Sequence, residues 1–405
     1  MKYVTILLDG MADEPIEELG GRTPVEAAVT KNLDRIAPLS LQGMVKTIPD
    51  GMKPGSDTAN LAVLGYDPKE YYSGRSPLEA LSIGVDMADD DIAIRTNFVT
   101  LTGDGLPYEK KTIIDHSSGE ISTEDCAVLL EAVKKEFTNE EFQFYLGTSY
   151  RHCLIWKKGR VVELAQPHDI PGRVIGEYLP EEKKLRDMME RSFEILDNHP
   201  VNIERAKKGL NKANSLWFWG AGTKPKVSAF EEKTGKKGAM ISAVDLLKGI
   251  ATGAKMHVEI VPGANGRLDT NYSGKAQAAI RLLREGYDFV YVHIEAPDEM
   301  GHQGSFERKI RSIENIDEMI IGPVFDALTA DGERFRMLVM PDHPTPVKVR
   351  THTPDPIPFL VYDSGEPCEG EARYSERNGR KTGLYIDKGY TLMQKFFDND
   401  LKSFV

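Results

Sequence analysis

The sequence predicts an α/β protein, a doubly wound and largely parallel sheet interrupted by a smaller α+β domain. Three observations predict it. Short runs that are apolar throughout, Tyr3–Leu8, Phe289–Ile294 and Phe335–Met340, alternate with amphipathic helical stretches, as strands buried on both faces do. Between about residues 89 and 180 the texture changes to alternating, half-exposed strands. The chain also has 405 residues, more than one ordinary core holds.

In chain order, Tyr3–Leu8 reads as a central strand ending in Asp9-Gly10. Thr23 to Ala37 reads as a helix, with Pro24 in its first turn and Ala27, Ala28, Leu33 and Ile36 as its buried stripe. Lys53–Asp57 is a turn, Thr58–Leu64 a helix, and Gly65 its stop. Ile92–Leu101 and Cys153–Leu164 alternate as strands, and Thr123–Phe137 has helical periodicity. Glu181–Asn198 is a charged helix leading back to the first domain. Further on, Ala239–Ala251, Asn271–Glu285 and Phe306–Leu328 read as helices, with His257–Val261 as a strand and Pro354–Tyr362 as a loop running into one. The expected division is 1–88 with 181–405, and 89–180 as the insertion.

Composition narrows the function classes. Hydrophobic residues make up 40% and charged residues 28%, usual for a protein with a real core. A net charge of −12 argues against a phosphate-backbone binder, so no nucleic-acid partner is expected. Cys126, Cys153 and Cys368 form neither a disulfide framework nor a CxxC pair. The apolar run Val4–Leu8 is too short for a signal peptide and is broken by Asp9. No run reaches the roughly 20 apolar residues of a membrane helix, so a cytoplasmic protein without a membrane partner is expected. Oligomerisation is left open.

Four short segments carry chemistry, each ending a predicted strand or opening a helix, where ligands bind in open α/β sheets. Asp9 ends the first strand; alone it reads equally as a turn aspartate. Ser56, in Pro-Gly-Ser-Asp-Thr-Ala-Asn, sits near helix-start N–H groups that favour anions, or is an ordinary cap. Asp298 and His302 lie four apart, on one face of a helical turn, which suits two ligands of one metal; the plainer reading is a capped helix with a surface histidine. Asp342-His343 ends a further strand and is followed by His352. Together these seven residues supply enough oxygen and nitrogen donors for two ions. Carboxylate and imidazole without thiolate suit Mn²⁺ or Zn²⁺ over Mg²⁺. Paired ions activate a serine nucleophile and stabilise phosphoryl oxygens.

At these residues the chain resembles the cofactor-independent (2,3-bisphosphoglycerate-independent) phosphoglycerate mutases of the archaeal-type branch, within the alkaline phosphatase superfamily. The resemblance runs through LLDGMAD, PGSDTANLAVLGYDP, YYSGRSPLEA, IRTNFVTL, YRHCLIW, PHDIPG, GAMISAVDLLKGIA, GANGRLDTNYSGKA, HIEAPDEMGHQG and PDHPTP with RTHTPDP, nearly the whole length. It implies an alkaline-phosphatase-like fold and two divalent ions, one on Asp298, His302 and His352, the other on Asp9, Ser56, Asp342 and His343, with no organic cofactor. It also implies interconversion of 3-phosphoglycerate and 2-phosphoglycerate, a small phosphorylated substrate, through phosphoserine at Ser56. Retaining glycerate requires that water be kept from phosphoserine. Arg95, Arg151 and Arg173 are candidates for the substrate carboxylate, because guanidinium pairs bidentately. His116 and Asp115 are candidates for proton transfer, and Lys237 for charge stabilisation at the nucleophile. Each has a plainer reading: a strand salt bridge for Arg95 and Arg151, surface residues for Arg173 and Lys237, and a buried structural histidine for His152. His168-Asp169 is open in the same way. A phosphotransferase with another alcohol acceptor, such as an ATP-dependent homoserine kinase, needs the same serine and metals, so the motifs leave it as the alternative.

Overall fold

The computed structural model describes residues 1–103 and 105–398. Two compact units divide the chain, Met1–Tyr72 with Lys226–Val405, and Ser73–Pro225. Among the described residues no helix is long and apolar enough to cross a membrane.

The first unit is built on an eight-stranded sheet. Its strands run in the order Tyr385–Ile386, Ser40–Val45, Ile357–Asp363, Phe335–Met340, Lys2–Leu8, Phe289–Ile294, Gly238–Ile241 and His257–Glu259. The last five are mutually parallel, with Tyr3 opposite Phe289 and Arg336. Their apolar sequences are explained by burial on both faces: Val4, Ile6, Leu8, Val290, Val292, Met337 and Val339 join one cluster with Ile313, Ile320, Leu282 and Leu283 of the covering helices. Ile357–Asp363 runs against its two neighbours, so the sheet is mixed where the sequence suggested parallel strands. The strand Ser40–Val45 was not foreseen.

Three helical expectations change. The stretch 23–37 divides into Pro24–Ala27, closed by a Thr23/Glu26 capping box, and Lys31–Ile36. Ala239–Ala251 is a buried strand, Gly238–Ile241, followed by a helix, Asp245–Gly253. A four-residue apolar run does not distinguish strand from helix by periodicity, and here the neighbouring strand decides it. The long helix from Phe306 contains a π-turn at Asp317–Ile321 before continuing as Gly322–Asp331.

The second unit is an antiparallel sheet with helices. Ile92–Leu101 pairs with Ile113–Asp115, Arg151–Trp156 and Ser215–Thr223, and Arg151–Trp156 pairs with Phe142–Tyr145. Thr123–Phe137 and Lys183–Leu196 cover it around Leu129, Val133, Met189, Leu216 and Phe218. This unit is wider than the expected 89–180. The physical reason is the strand Ser215–Thr223, which pairs along Ile92–Val99 and brings its preceding helix with it. The strand expected over Cys153–Leu164 ends at Trp156.

Candidate active site

Three neighbouring parallel strands set the site. Lys2–Leu8 ends at Asp9, Phe289–Ile294 leads into the helix Ala296–His302 that carries Asp298 and His302, and Phe335–Met340 leads to Asp342 and His343. Ser56 is the first residue of the helix Ser56–Val63, two residues earlier than the sequence suggested. The structure brings all seven expected residues together.

Ser56 Oγ lies 3.1 Å from His343 Nε2. That nitrogen is 3.6 Å from Asp9 Oδ1 and 3.5 Å from Asp342 Oδ2. Asp9, Asp342 and His343 therefore offer donor atoms within 4.8 Å of one another, and so do Asp298, His343 and His352. His302 joins the second group: its Nε2 is 3.2 Å from Asp298 Oδ2 and 3.0 Å from His352 Nε2. His302 Nδ1 meets the Arg350 carbonyl at 3.0 Å, which orients the ring.

The electrostatics fit divalent cations. Asp9 Oδ1 is buried without a hydrogen-bond partner. Burial, reinforced by Asp342 and Asp298, raises the Asp9 carboxyl well above its ordinary range, because buried carboxylates of like charge stand together. Burial also opposes ionisation of Asp298, but contacts from His302 and His352 outweigh it and hold that carboxyl well below its ordinary value. The Asp298 contact raises His302 to about 9, and burial lowers His343. Imidazole nitrogens that face one another and a shared carboxylate are the donor set of a nitrogen- and oxygen-liganded cation.

Several supporting residues escaped the sequence reading. Asn60 Nδ2 donates to Asp342 Oδ2 at 2.7 Å and to the Ser56 carbonyl at 2.8 Å, while its Oδ1 accepts from Tyr291 Oη at 2.6 Å. Its signal was present: a polar residue four after Ser56 on an otherwise apolar helix face. Thr345 Oγ1 donates to Asp298 Oδ1, and Lys309 Nζ, wholly buried, donates to the Thr345 carbonyl at 2.8 Å and to Asp13 Oδ2 at 2.8 Å.

Lys237 is not part of this cluster. It precedes the strand Gly238–Ile241, at the amino ends of the parallel strands, and its ammonium lies 4.5 Å from the Tyr287 ring centre. The ligand cluster sits at the carboxyl ends, which is why a lysine before the strand does not reach the serine.

In the second unit Arg95 is 7% exposed, stacked 4.3 Å over the Trp219 ring, with Nε 3.0 Å from Glu79 Oε2. Burial lowers its pKa to about 10, leaving it charged at neutral pH. Arg151 lies over Tyr150, and the His116 ring contacts Tyr150 and His168, which in turn contacts Trp219. The Asp115 carboxylate is engaged within its own loop and with Asn211. Its oxygens already accept from Ser117 N and Oγ, Gly119 N and Asn211 Nδ2. Burial is outweighed by those bonds, which lower its pKa and make it a loop anchor. Arg173 is exposed and donates to Tyr178 Oη at 2.9 Å. His152 is a buried neutral histidine against Phe98, its pKa lowered to about 3 by burial.

Carboxylates and imidazoles at the ends of adjacent parallel strands, gathered beside a helix-start serine, define an α/β protein with a divalent-cation centre. Residues 37–202 match the family model described as 2,3-bisphosphoglycerate-independent phosphoglycerate mutase. The 2,3-bisphosphoglycerate-independent phosphoglycerate mutase of Methanosarcina barkeri is 48% identical over 400 residues, covering 97% of this chain and 98% of that one. A probable enzyme of the same description from Geobacter sulfurreducens is 44% identical over 405 residues, covering 98% and 100%. Among solved structures, the PH0037 protein from Pyrococcus horikoshii is 31% identical with a TM-score of 0.81, covering 98% of this chain and 97% of that one. The cofactor-independent phosphoglycerate mutase from Thermoplasma acidophilum is 28% identical with a TM-score of 0.67, covering 100% of both. The chain belongs to the 2,3-bisphosphoglycerate-independent phosphoglycerate mutase family.

Proposed function

We propose that this chain interconverts 3-phosphoglycerate and 2-phosphoglycerate through a phosphoserine at Ser56. Asp9, Ser56, Asp342 and His343 are proposed to hold one divalent cation, and Asp298, His302 and His352 the other, with Mn²⁺ or Zn²⁺ favoured by the three imidazoles. The observation that carries the reading is Ser56 Oγ at 3.1 Å from His343 Nε2, beside two carboxylate–imidazole groups that share that histidine. When bound, such cations supply Lewis-acid stabilisation of serine and phosphoryl oxygens.

The remaining work falls to the chain's own groups. Ser56 Oγ gives up its proton and forms a bond to phosphorus as the bond to O3 of the substrate breaks, and the departing O3 takes up a proton. O2 of the retained glycerate then loses its proton and attacks phosphorus, the bond from phosphorus to Oγ breaks, and Oγ regains a proton as serine. Asn60 fixes Asp342 and the Ser56 backbone together, so the nucleophile and its acidic neighbour move as one. Ser56 opens the helix Ser56–Val63, where the helix dipole favours anionic oxygens. In the second unit, Arg95 and Arg151 are the proposed carboxylate binders and His116 the proposed proton-transfer group. The phosphoglycerate description carried by full-length relatives favours this reading over the homoserine kinase alternative.

The test is direct. Purified, Mn²⁺-loaded protein should convert 3-phosphoglycerate to 2-phosphoglycerate without added 2,3-bisphosphoglycerate, and should leave homoserine with ATP unchanged. Ser56→Ala should lower kcat by at least about 10⁴-fold, as loss of a covalent nucleophile does, with the circular dichroism spectrum unchanged. Turnover retained by that variant removes Ser56 from the mechanism.

A further inference from the structure

We propose that His293, held in one tautomer by Ser242, is a positioning residue that turns Asp9 Oδ1 toward the cation site. The inference rests on the two-cation reading above. Neither residue belongs to the expected ligand set.

The geometry runs across three adjacent strands. Ser242 follows Gly238–Ile241, His293 lies on Phe289–Ile294, and Asp9 follows Lys2–Leu8. His293 is wholly buried, and Ser242 and Asp9 nearly so. His293 Nε2 is 2.9 Å from Asp9 Oδ2, and Ser242 Oγ is 3.2 Å from His293 Nδ1. A carboxylate that holds a cation through Oδ1 is ionised and only accepts, so against it Nε2 carries the proton and Nδ1 accepts from the Ser242 hydroxyl. The Val244 N–H donates to Ser242 Oγ at 3.0 Å, which leaves that hydroxyl free to donate onward. Lys275 Nζ donates to the His293 carbonyl at 2.8 Å and fixes its backbone.

Asp9 depends on this contact more than its neighbour does on any one of its own. Asp342 is oriented by Gly10 N, His343 N and Asn60 Nδ2. Among the described residues, His293 supplies the one hydrogen bond donated to the Asp9 side chain, at Oδ2. That bond leaves Oδ1 without a partner, 3.6 Å from His343 Nε2. A merely space-filling histidine would not require this division of roles between two carboxylate oxygens. An outer residue that donates to a ligand in this way sets its orientation and basicity.

The test measures Mn²⁺ binding to metal-free protein by titration calorimetry and by electron paramagnetic resonance of the free ion. His293→Leu should weaken one of two Mn²⁺ sites by about 10–100-fold and leave the other within about threefold. His293→Gln places an amide donor near the Nε2 position and should stay within about threefold of the parent at both sites. Ser242→Ala should weaken the same site as His293→Leu, by less. Parent-like affinity in both His293→Leu and Ser242→Ala overturns the proposal. Equal losses in the Leu and Gln variants also overturn it, because packing and not the donated hydrogen bond would then be responsible. If His293→Leu does not fold, Ser242→Ala decides the matter, and unchanged binding there counts against the relay. A parent protein that binds no Mn²⁺ brings down the two-cation reading and the relay together, whereas an intact parent with silent variants removes the relay alone.

Discussion

Gly10 shows how little room the ligand cluster leaves. Its φ is +61°, and a Cβ added there would lie 2.4 Å from Asp298 Oδ1, 2.6 Å from Thr345 Oγ1 and 2.7 Å from the Asp298 backbone. Its N–H also donates to Asp342 Oδ1 at 3.1 Å. One residue therefore touches carboxylates of both proposed cation groups. Gly10→Ala meets two costs, a left-handed backbone of roughly 1–2 kcal/mol and a clash that displaces Asp298. The expected outcome is a lower melting temperature and Mn²⁺ affinity reduced by about tenfold or more, as when other supports of a ligand are lost. Calorimetric titration checks it, and parent-like affinity would show that the cluster adapts. The clustered residues were legible in the sequence because Asp9, Asp342 and His343 come just after apolar strands. Thr345 and His293 were not, because their roles come from partners more than 45 residues away in sequence. Lys237 was misplaced for the converse reason: a basic side chain in a loop has no period, and only the strand direction shows which end of the sheet it occupies.

At the scale of elements, the helix expected over 23–37 breaks because another part of the chain completes it. Thr30 makes no side-chain cap to Lys31–Ile36. Asp317, at the π-turn, supplies the cap instead: Oδ1 accepts from Leu33 N at 2.8 Å, and Oδ2 from Asn32 N at 3.0 Å. Asn32 Nδ2 donates to the Asp317 carbonyl at 2.9 Å, tying the π-turn back to the helix start. Asp317→Ala leaves two N–H groups without their acceptors and is expected to cost about 2–4 kcal/mol. Urea unfolding measures that loss, while kcat per folded molecule should remain at the parent value because Asp317 touches no member of the ligand cluster. A stability change below about 0.5 kcal/mol would show that water replaces the cap. The long periodic helix Thr123–Phe137 and the six-residue strand Phe335–Met340 occur with the expected bounds. The four-residue run Gly238–Ile241 was not legible as a strand, since periodicity over four residues carries no decision.

At the scale of the whole chain, the first unit is assembled from distant sequence, and its antiparallel strand is where late residues are secured. Asp363 ends Ile357–Asp363 and is 1% exposed. Its oxygens accept from Arg334 Nε at 3.0 Å, Arg334 Nη2 at 2.8 Å and Arg336 Nε at 2.6 Å. Arg336, buried throughout, also donates to the Phe396 carbonyl at 2.9 Å, so one carboxylate joins two strands to the helix Leu392–Phe397. Burial opposes ionisation of Asp363, yet the two guanidinium groups outweigh it and lower the carboxyl to about 2. Because the folded value lies below the unfolded one, the stabilisation is fully present above about pH 4 and is lost as pH falls through about 2. The shift corresponds to about 2 kcal/mol at neutral pH. Asp363→Asn should therefore be less stable than the parent by about 2–4 kcal/mol at pH 7, the upper end reflecting two buried guanidinium groups left without their anion. Urea unfolding of both proteins at about pH 7, 4 and 2.5 checks the sign: the difference should hold between the first two and narrow at the third. A difference that instead widened in acid would mean that Asp363 is protonated in the folded chain at neutral pH, and that the arginines are held by the carbonyls of the last helix alone.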